Sequence, residues 1–508
     1  MSAAGRHAPR RHVVVVGAGL GGLATAIRLA TAGWRVTVLE KNDRPGGKMG
    51  RRVSGDYVFD TGPTILTLPL LVDSLFAAAG ERRADHLTFL PVEPSTNTVF
   101  PDGTMVETWT DLDRLREAWA RLDPRDAEAI PEFMRRGDRI WRELDRSFFR
   151  RMWLPSDLAN PRTWLAGIRL DAGRTYERGI DALFHHPYLR HVMRYKSIYL
   201  GSTPQSVPAS FLSIPYLEIR YGIWHPQGGM HAAALALEGL AKRIGVVFRY
   251  GTPATGTVLA DRRIRAVRTA HETLPADAVV FNTDIVYAHR ELLDWAALSP
   301  ATRARFEDAR PSSSAYILHL AVRQEFPGLH HHNVWHPASY EDELREITSA
   351  RVPHADPTVY VCHPAATDPT ARMTRGADGR PRTALYALTP TPPLHDRQWW
   401  DANREAYREL VENRLVELIG LDRSAIEMRA DFGPPDFEQR YNAHLGSIFS
   451  LAASFRQSAF FRPPNRSRDV ANAYFVGGGT QPGGGIPLVL LSGEITSRLV
   501  VADGRRRG

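Results

Sequence analysis

Three glycines spaced G-x-G-x-x-G, at positions 17, 19 and 22, precede an acid at Glu40, and this set can hold a dinucleotide. The chemistry is electrostatic. Glycine lets backbone amides close on a pyrophosphate at a helix N-terminus, where the dipole favours negative charge. An acid 18 residues beyond Gly22 can accept hydrogen bonds from both hydroxyls of an adenosine ribose. A second pair, Gly46 and Gly47, follows between Lys41 and Lys48, and FDTGPT (59–64) adds Gly62, Pro63 and Thr64. Near the C-terminus, YFVGGGTQPGGGIPLVLLSG (474–493) places six glycines within nine positions. Glycine weakens any helix or strand that contains it, so the concentration needs a reason.

Other reactive groups do not assemble into a catalytic set. No Ser–His–Asp arrangement, paired-carboxylate spacing or metal box stands out. LHHHNVWH (329–336) offers His330 to His332 plus His336, including an i, i+4 pair. Adjacent histidines on one helix face different directions, however, and no carboxylate stands at ligand spacing, so no metal is assigned. Asp60 and Asp284 read as structural or cofactor-adjacent. Neither they nor Arg150 and Arg151 are assigned as acid or base, and no catalytic residue is named. Cys362 is the only cysteine, which leaves no intrachain disulfide, thiolate zinc site or iron–sulfur cluster and fits a reducing cytosol.

The elements that must position these residues are legible in part. His12 to Val16 read as a buried strand, Leu23 to Ala32 as a helix capped by Gly33, and Arg35 to Leu39 as a strand ended by Glu40. MHAAALALEGLAKRIG (230–245) is an amphipathic helix closed by Gly245, followed by strand VVFRY. Alternation through the next residues predicts a β-meander returning to a buried strand at Val279 to Asn282. Tyr474 to Val476 form a last strand, and Pro487 opens a closing helix that buries Leu488 to Leu491. Two long insertions, about 75–220 and 290–430, are richer in Trp, Pro and helix-like periodicity. With 508 residues, 43% of them hydrophobic, the chain is long enough for two or more domains. The net charge of +8 is almost all dispersed arginine. That pattern speaks against a nucleic-acid partner and is compatible with acidic lipid headgroups. No apolar run is long enough to span a bilayer.

Taken in order, LEKNDRPGGK (39–48), FDTGPT, YGIWHPQGGM (221–230), VVFNTD (279–284), SLAASFRQSAFFRPPNRS (450–467) and the C-terminal glycine segment carry a family likeness. Over almost its full length the chain resembles the bacterial-type phytoene desaturase family of FAD-dependent carotenoid desaturases and related carotenoid oxidoreductases. The resemblance implies an α/β fold with a Rossmann-like FAD-binding domain of the amine-oxidase and GDP-dissociation-inhibitor type. That domain would be assembled from 10–75, 221–290 and 435–503. An inserted α+β domain, 76–220 and 291–434, would bind substrate and membrane, with flexible tails at 1–9 and 504–508. FAD would run along Gly17, Gly19, Gly22, Glu40, Lys41, Gly46, Gly47, Lys48, Gly62, Pro63 and Thr64. Its ring would reach Gly478, Gly479, Gly485 and Ile486, with the amides of the last two toward the flavin N1–C2=O edge. That edge gains negative charge on reduction, which a helix N-terminus stabilises.

The implied activity introduces C=C bonds into a long polyene isoprenoid by hydride transfer to flavin N5, with oxygen or a quinone as electron acceptor. An apolar carotenoid must come from a membrane. FFRRMWLPSDLANPRTWLAGIRL (148–170) interleaves aromatics, leucines and arginines in a way that suits a bilayer interface. A cytoplasmic protein held peripherally at the inner face of the cell membrane is expected. Two departures bear on substrate: Gln481 stands where phytoene desaturases have His or Tyr, and Leu488 where they have Gly. Both bring the chain closer to end-group desaturases and terminal-methyl oxygenases, the alternative reading. A non-redox prenyl-binding protein of the same fold is the distant one, and it would need neither the second glycine pair nor a C-terminal flavin seat.

Overall fold

The computed structural model describes residues 11–506 apart from 56, 348, 372–380 and 455–456. Five strands form a parallel sheet in the order Ala473–Phe475, Ala278–Phe281, His12–Val16, Arg35–Leu39, Val247–Arg249. Covered on both faces, the first strand reads as a run of valines rather than an alternation. Val13 and Val15 pack on the helices Leu20–Thr31, Met230–Arg243 and Ile486–Arg505. Val14 and Val16 pack on the other side, against the predicted meander Ala254–Ala260, Arg263–Thr269 and Thr273–Pro275. A fully buried valine stabilises by about 1.5–3 kcal/mol, so two-sided burial fixes this strand firmly.

Two boundaries differ from expectation by more than one residue. The first helix starts at Leu20 with Gly19 as N-cap, earlier than Leu23. Glycine is a poor helix former, but packing overrides propensity here: a Cβ on Gly22 would lie 2.1 Å from the carbonyl oxygen of Gly17. The last helix runs to Arg505, into the segment expected as a tail. Arg11 donates to the Gly504 carbonyl, and a Cβ on Gly504 would lie 2.8 Å from Trp34, so this end is packed down. Residues 1–9 and 507–508 lie outside the described residues, as do 455–456 of the 450–467 motif.

A second sheet has seven strands, ordered Ile426–Phe432, Ser314–Val322, Thr383–Thr391, Val359–Cys362, His332–Trp335, Thr96–Val99, Met105–Thr108. Neighbours are antiparallel except His332–Trp335 beside Thr96–Val99. Both insertions therefore contribute to one sheet. The helix-like periodicity expected to enrich 290–430 is seen in Arg397–Ile419 but not in Ser314–Val322, a strand buried at every residue. A strand buried on both faces shows no period to read. The first insertion is mainly helical, around a core that includes Trp119, Phe133 and Phe184.

Candidate active site

A cavity of about 680 Å³ opens at the carboxyl ends of the parallel strands, where open α/β sheets bind ligands. It extends from Gly17, Gly19 and Glu40 past the Gly477–Gly485 segment to Phe149, Trp153 and Leu170. Gly17 has φ +104°, and a Cβ there would press on the Asn282 carbonyl at 2.9 Å, so only glycine makes this turn. Gly22 sits beneath the turn against Gly17 rather than on the cavity wall. Its part is helix–strand packing, which lets the other two approach a ligand.

Glu40 is buried, and its carboxylate accepts from the Ala18 amide at 2.7 Å and from the Asn42 amide and Nδ2 at 2.9 Å. Oε1 already accepts twice, and Oε2, which accepts once, keeps accepting capacity for a ligand. The second glycine pair folds back onto the first turn: the Gly46 amide donates to the Ala18 carbonyl at 2.9 Å, and Gly46 bridges Gly19. Lys41 donates to the Gln439 carbonyl and to Asn442 Oδ1. Lys48, half-buried, donates to the carbonyls of Ser447 and Ile448 at 3.0 and 2.8 Å. Burial pulls its pKa down to about 8, against the opposing pull of the Asp284 carboxylate. Gly62, Pro63 and Thr64 line the same cavity, and a Cβ on Gly62 would lie 1.9 Å from the Lys48 carbonyl oxygen.

The second glycine segment closes the wall. Gly478, Gly479, Gly485 and Ile486 all line it. Gly485, φ +97°, is the N-cap of Ile486–Arg505, which has no side-chain cap among the described residues, and Pro487 brings no N–H. The first amides of that helix are thus left for a ligand. A Cβ on Gly485 would meet no described atom within 4 Å. Arg462, missed in the sequence although it lies in the 450–467 motif, is buried behind this segment. It donates to the carbonyls of Thr480 at 3.1 Å and of Gly478, and burial pulls its pKa down to about 10. Gln481 is not on the cavity wall. Its Oε1 accepts from the Trp153 amide at 2.7 Å, and its Nε2 donates to the Trp153 carbonyl at 2.9 Å. The amide pairs like a strand and ties the 148–170 segment to the glycine segment. The substrate argument from Gln481 therefore falls away. Leu488 does line the cavity while packing on the helix-side core.

Asp60 is not on the wall; it accepts from the amides of Met230 and His231 at 2.9 and 3.2 Å and caps that helix, and burial pushes its pKa up to about 6. Asp284 is on the wall, caps Ile285–Tyr287, and accepts from Ser450 Oγ at 2.7 Å. Arg150 pairs with Asp145 at 2.6 Å, and Arg151 lies over the Trp153 ring at 3.8 Å. Two further lining residues, besides Arg462, bear on the site and were not singled out. Asn282, at the end of the strand in VVFNTD, keeps its buried Oδ1 without a partner among the described residues. Glu218 is buried on the wall and paired with Lys196 at 2.8 Å. The 329–336 histidines form no i, i+4 site: the segment is centred on the strand His332–Trp335 rather than a helix, and His336, just past it, packs with His191, Tyr195 and Tyr340.

These features fit FAD. A glycine turn with a free Asn282 oxygen beside it, an acid at the second strand's end and an uncapped helix N-terminus with space above Gly485 lie on one cavity. Residues 20–501 match the family described as flavin-containing amine oxidoreductase. The chain is similar to a 4,4'-diapolycopene oxygenase of Methylomonas, 33% identical over 97% of this chain and 98% of the relative. It is similar to a zeta-carotene-forming phytoene desaturase of Myxococcus xanthus, 36% identical over 96% and 94%. Its fold is that of an oxidoreductase from Methanosarcina mazei, with a TM-score of 0.62 at 16% identity over 97% of this chain and all of that one.

Proposed function

The chain belongs to the flavin-containing amine oxidoreductase family, and from that premise we propose a carotenoid desaturase, which introduces C=C bonds into a long apolar polyene. The protein is an FAD-dependent oxidoreductase. One observation carries the substrate class: a mainly apolar cavity continues from the nucleotide turn past Gly485 to the segment Leu144 to Leu170. Relatives over nearly the whole chain are named for carotenoid desaturation or oxygenation. FAD, when bound, supplies the acceptor for the hydrogen removed from the substrate. The amides around Gly17 and Gly19, Glu40, Lys41, Gly46, Gly47 and Lys48 would hold the adenosine and phosphate end. Gly62 to Thr64, Gly478, Gly479, Gly485 and Ile486 would hold the ring.

The rest of the wall orients substrate and keeps water out. Leu144, Phe148, Phe149, Phe211 and Leu217 offer an ordered water no side-chain hydrogen bond, and the Trp153 indole N–H is already given to the Phe148 carbonyl at 3.1 Å. The carboxylates on the wall are already engaged, Glu218 by Lys196, Asp284 by its helix cap and Glu40 by backbone amides. None stands free as a dedicated base. The departing proton leaves a carbon beside a conjugated chain, where charge is delocalised, and a strong base is unnecessary. Electrons pass onward to oxygen or a membrane quinone. The parallel sheet with its helices serves the cofactor, and the seven-stranded sheet with the helical insertion serves the substrate.

Pigment analysis tests this reading. Expression in bacteria that accumulate early carotenoids should lengthen the conjugated chain and shift the pigment spectrum to longer wavelength. An unchanged pigment profile with FAD-loaded protein would overturn it. A terminal-methyl oxygenase is the second reading, favoured by Leu488 on the cavity wall; products with oxidised ends, altered by Leu488→Gly, would select it.

Membrane docking belongs to the same proposal. Among the described residues no helix is long and apolar enough to cross a bilayer. On Pro161–Arg169, Thr163 and Ala166 line the cavity while Trp164, Leu165 and Ile168 are 65%, 49% and 76% exposed. This short helix thus joins the cavity to an outer apolar face, and the occupant is the cytoplasmic surface of the cell membrane. Each large apolar side chain buried contributes about 1.5–3 kcal/mol. Serine at all three positions is expected to lower sedimentation with liposomes by about tenfold or more. Arg150→Gln with Arg151→Gln should matter less, because both are engaged within the protein. Equal sedimentation of the triple-serine variant and the parent would refute the docking face.

A further inference from the structure

We propose that His331, His332 and Cys362 form a buried structural metal site with the chemistry of zinc. The strands His332–Trp335 and Val359–Cys362 pair antiparallel with His332 directly opposite Cys362, which puts both side chains on one face. His331 joins them, and one donor atom from each of the three lies within 4.8 Å of the others. All three are at most 2% exposed. Both ring nitrogens of His331 and Nε2 of His332 have no hydrogen-bond partner among the described residues, which is rare for buried polar atoms. A fourth buried imidazole, His225, packs against His331 with ring centroids 4.8 Å apart; its Nε2 faces the Asp368 carboxylate at 3.5 Å, and its Nδ1 has no hydrogen-bond partner among the described residues.

The one nitrogen that is satisfied supports the same conclusion. His332 Nδ1 lies 2.7 Å from Tyr360 Oη, which lies 2.6 Å from Thr64 Oγ1. Such a bond orients a metal-binding imidazole and leaves its other nitrogen free to ligate. A neutral imidazole keeps a lone pair on one ring nitrogen, and the unpartnered nitrogens of His331 and His332 are the ones left to ligate. Cys362 is a free, buried cysteine, ordinarily a thiol when no metal is bound. Binding exchanges that proton for the metal: the S–H bond breaks, the S–metal bond forms, and the proton leaves to solvent. Two imidazoles and one thiolate suit zinc and fill three of its four tetrahedral positions, with His225, packed against His331, as the candidate for the fourth. Bonds of about 2.0 Å to nitrogen and about 2.3 Å to sulfur require donors about 3.3–3.7 Å apart, so the three close by about an ångström.

Counting cysteines alone excluded a thiolate zinc site, and reading 330–336 as helical hid the facing strand. The three ligands do not line the active-site cavity, whereas Tyr360 does. The metal would pin the two strands behind that wall, a role independent of the redox reading.

The test is protein folded in cells supplied with zinc, then with cobalt, because a site this buried fills during folding. Elemental analysis after dialysis against EDTA should give one zinc per chain. Cobalt protein should show thiolate-to-metal absorption and tetrahedral bands at longer wavelength than flavin. Cys362→Ala and His331→Ala should lose the metal, while His336→Ala keeps it. Tyr360→Phe should weaken binding about 10–100-fold. Should the cysteine variant fail to fold, the parent's cobalt spectrum decides alone. Folded parent protein with no stoichiometric metal, or cobalt without thiolate absorption, would overturn the site.

Discussion

Gly19→Val is expected to give folded protein that lacks its yellow cofactor. Gly19 has φ −68° and ψ 172°, extended values open to any residue. A Cβ there would lie 2.8 Å from Asn282 Oδ1, a side-chain atom rather than backbone, so the Asn282 amide, which donates to the Val476 carbonyl at 3.1 Å, must shift. The branched carbons would then occupy the cavity where the nucleotide turn must touch its ligand. Occupancy should fall by about tenfold or more, a loss of about 1.4 kcal/mol or more in binding. Gly22→Val would mislead, because its Cβ would strike the Gly17 carbonyl oxygen at 2.1 Å and break the fold itself. Glu40→Ala should also be colourless, but it orphans the Ala18 and Asn42 amides at about 1–3 kcal/mol for each. Flavin absorbance per chain and the melting temperature separate the cases. Full occupancy in Gly19→Val would move the nucleotide elsewhere.

What could be read in advance was local. The first strand, its glycine turn and Glu40 lie within one βαβ unit, so spacing alone places them. The closing helix was legible because Pro487 marks a first turn. The start of the first helix was misplaced because Gly21 and Gly22 are held helical by contacts with distant chain rather than by propensity. The seven-stranded sheet was hidden for a related reason: Ser314–Val322 is buried on both faces and shows no alternation. At the site, residue types were legible and partners were not. Lys48 is held by carbonyls 399 and 400 residues away, and Gln481 by a backbone 328 residues away. A departure from a family pattern could mark Gln481, but only the fold shows that it clamps Trp153 and leaves Leu488 to face the cavity.

The opposite end of the cavity is tested by Gly485, with Gly33 as its control. Both have positive φ, +97° and +87°, and a Cβ on either would meet no described atom within 4 Å. Alanine therefore carries a backbone cost of about 1–3 kcal/mol at each position without a clash inside the protein. The difference is where the methyl goes. At Gly33 it enters solvent behind the first helix, and at Gly485 it enters the cavity at the uncapped N-terminus of Ile486–Arg505. If the flavin ring lies there, the methyl displaces it from the helix amides. Gly485→Ala should then shift the absorption spectrum of retained flavin and lower its reduction potential, since the amides stabilise the negative charge gained on reduction. A displacement of about an ångström lowers turnover on the order of 100-fold. Gly33→Ala should lose comparable thermal stability yet keep spectrum, potential and turnover. If the two variants behave alike, the open space above Gly485 is not the ring's place, and the C-terminal glycines serve only the turn that they make.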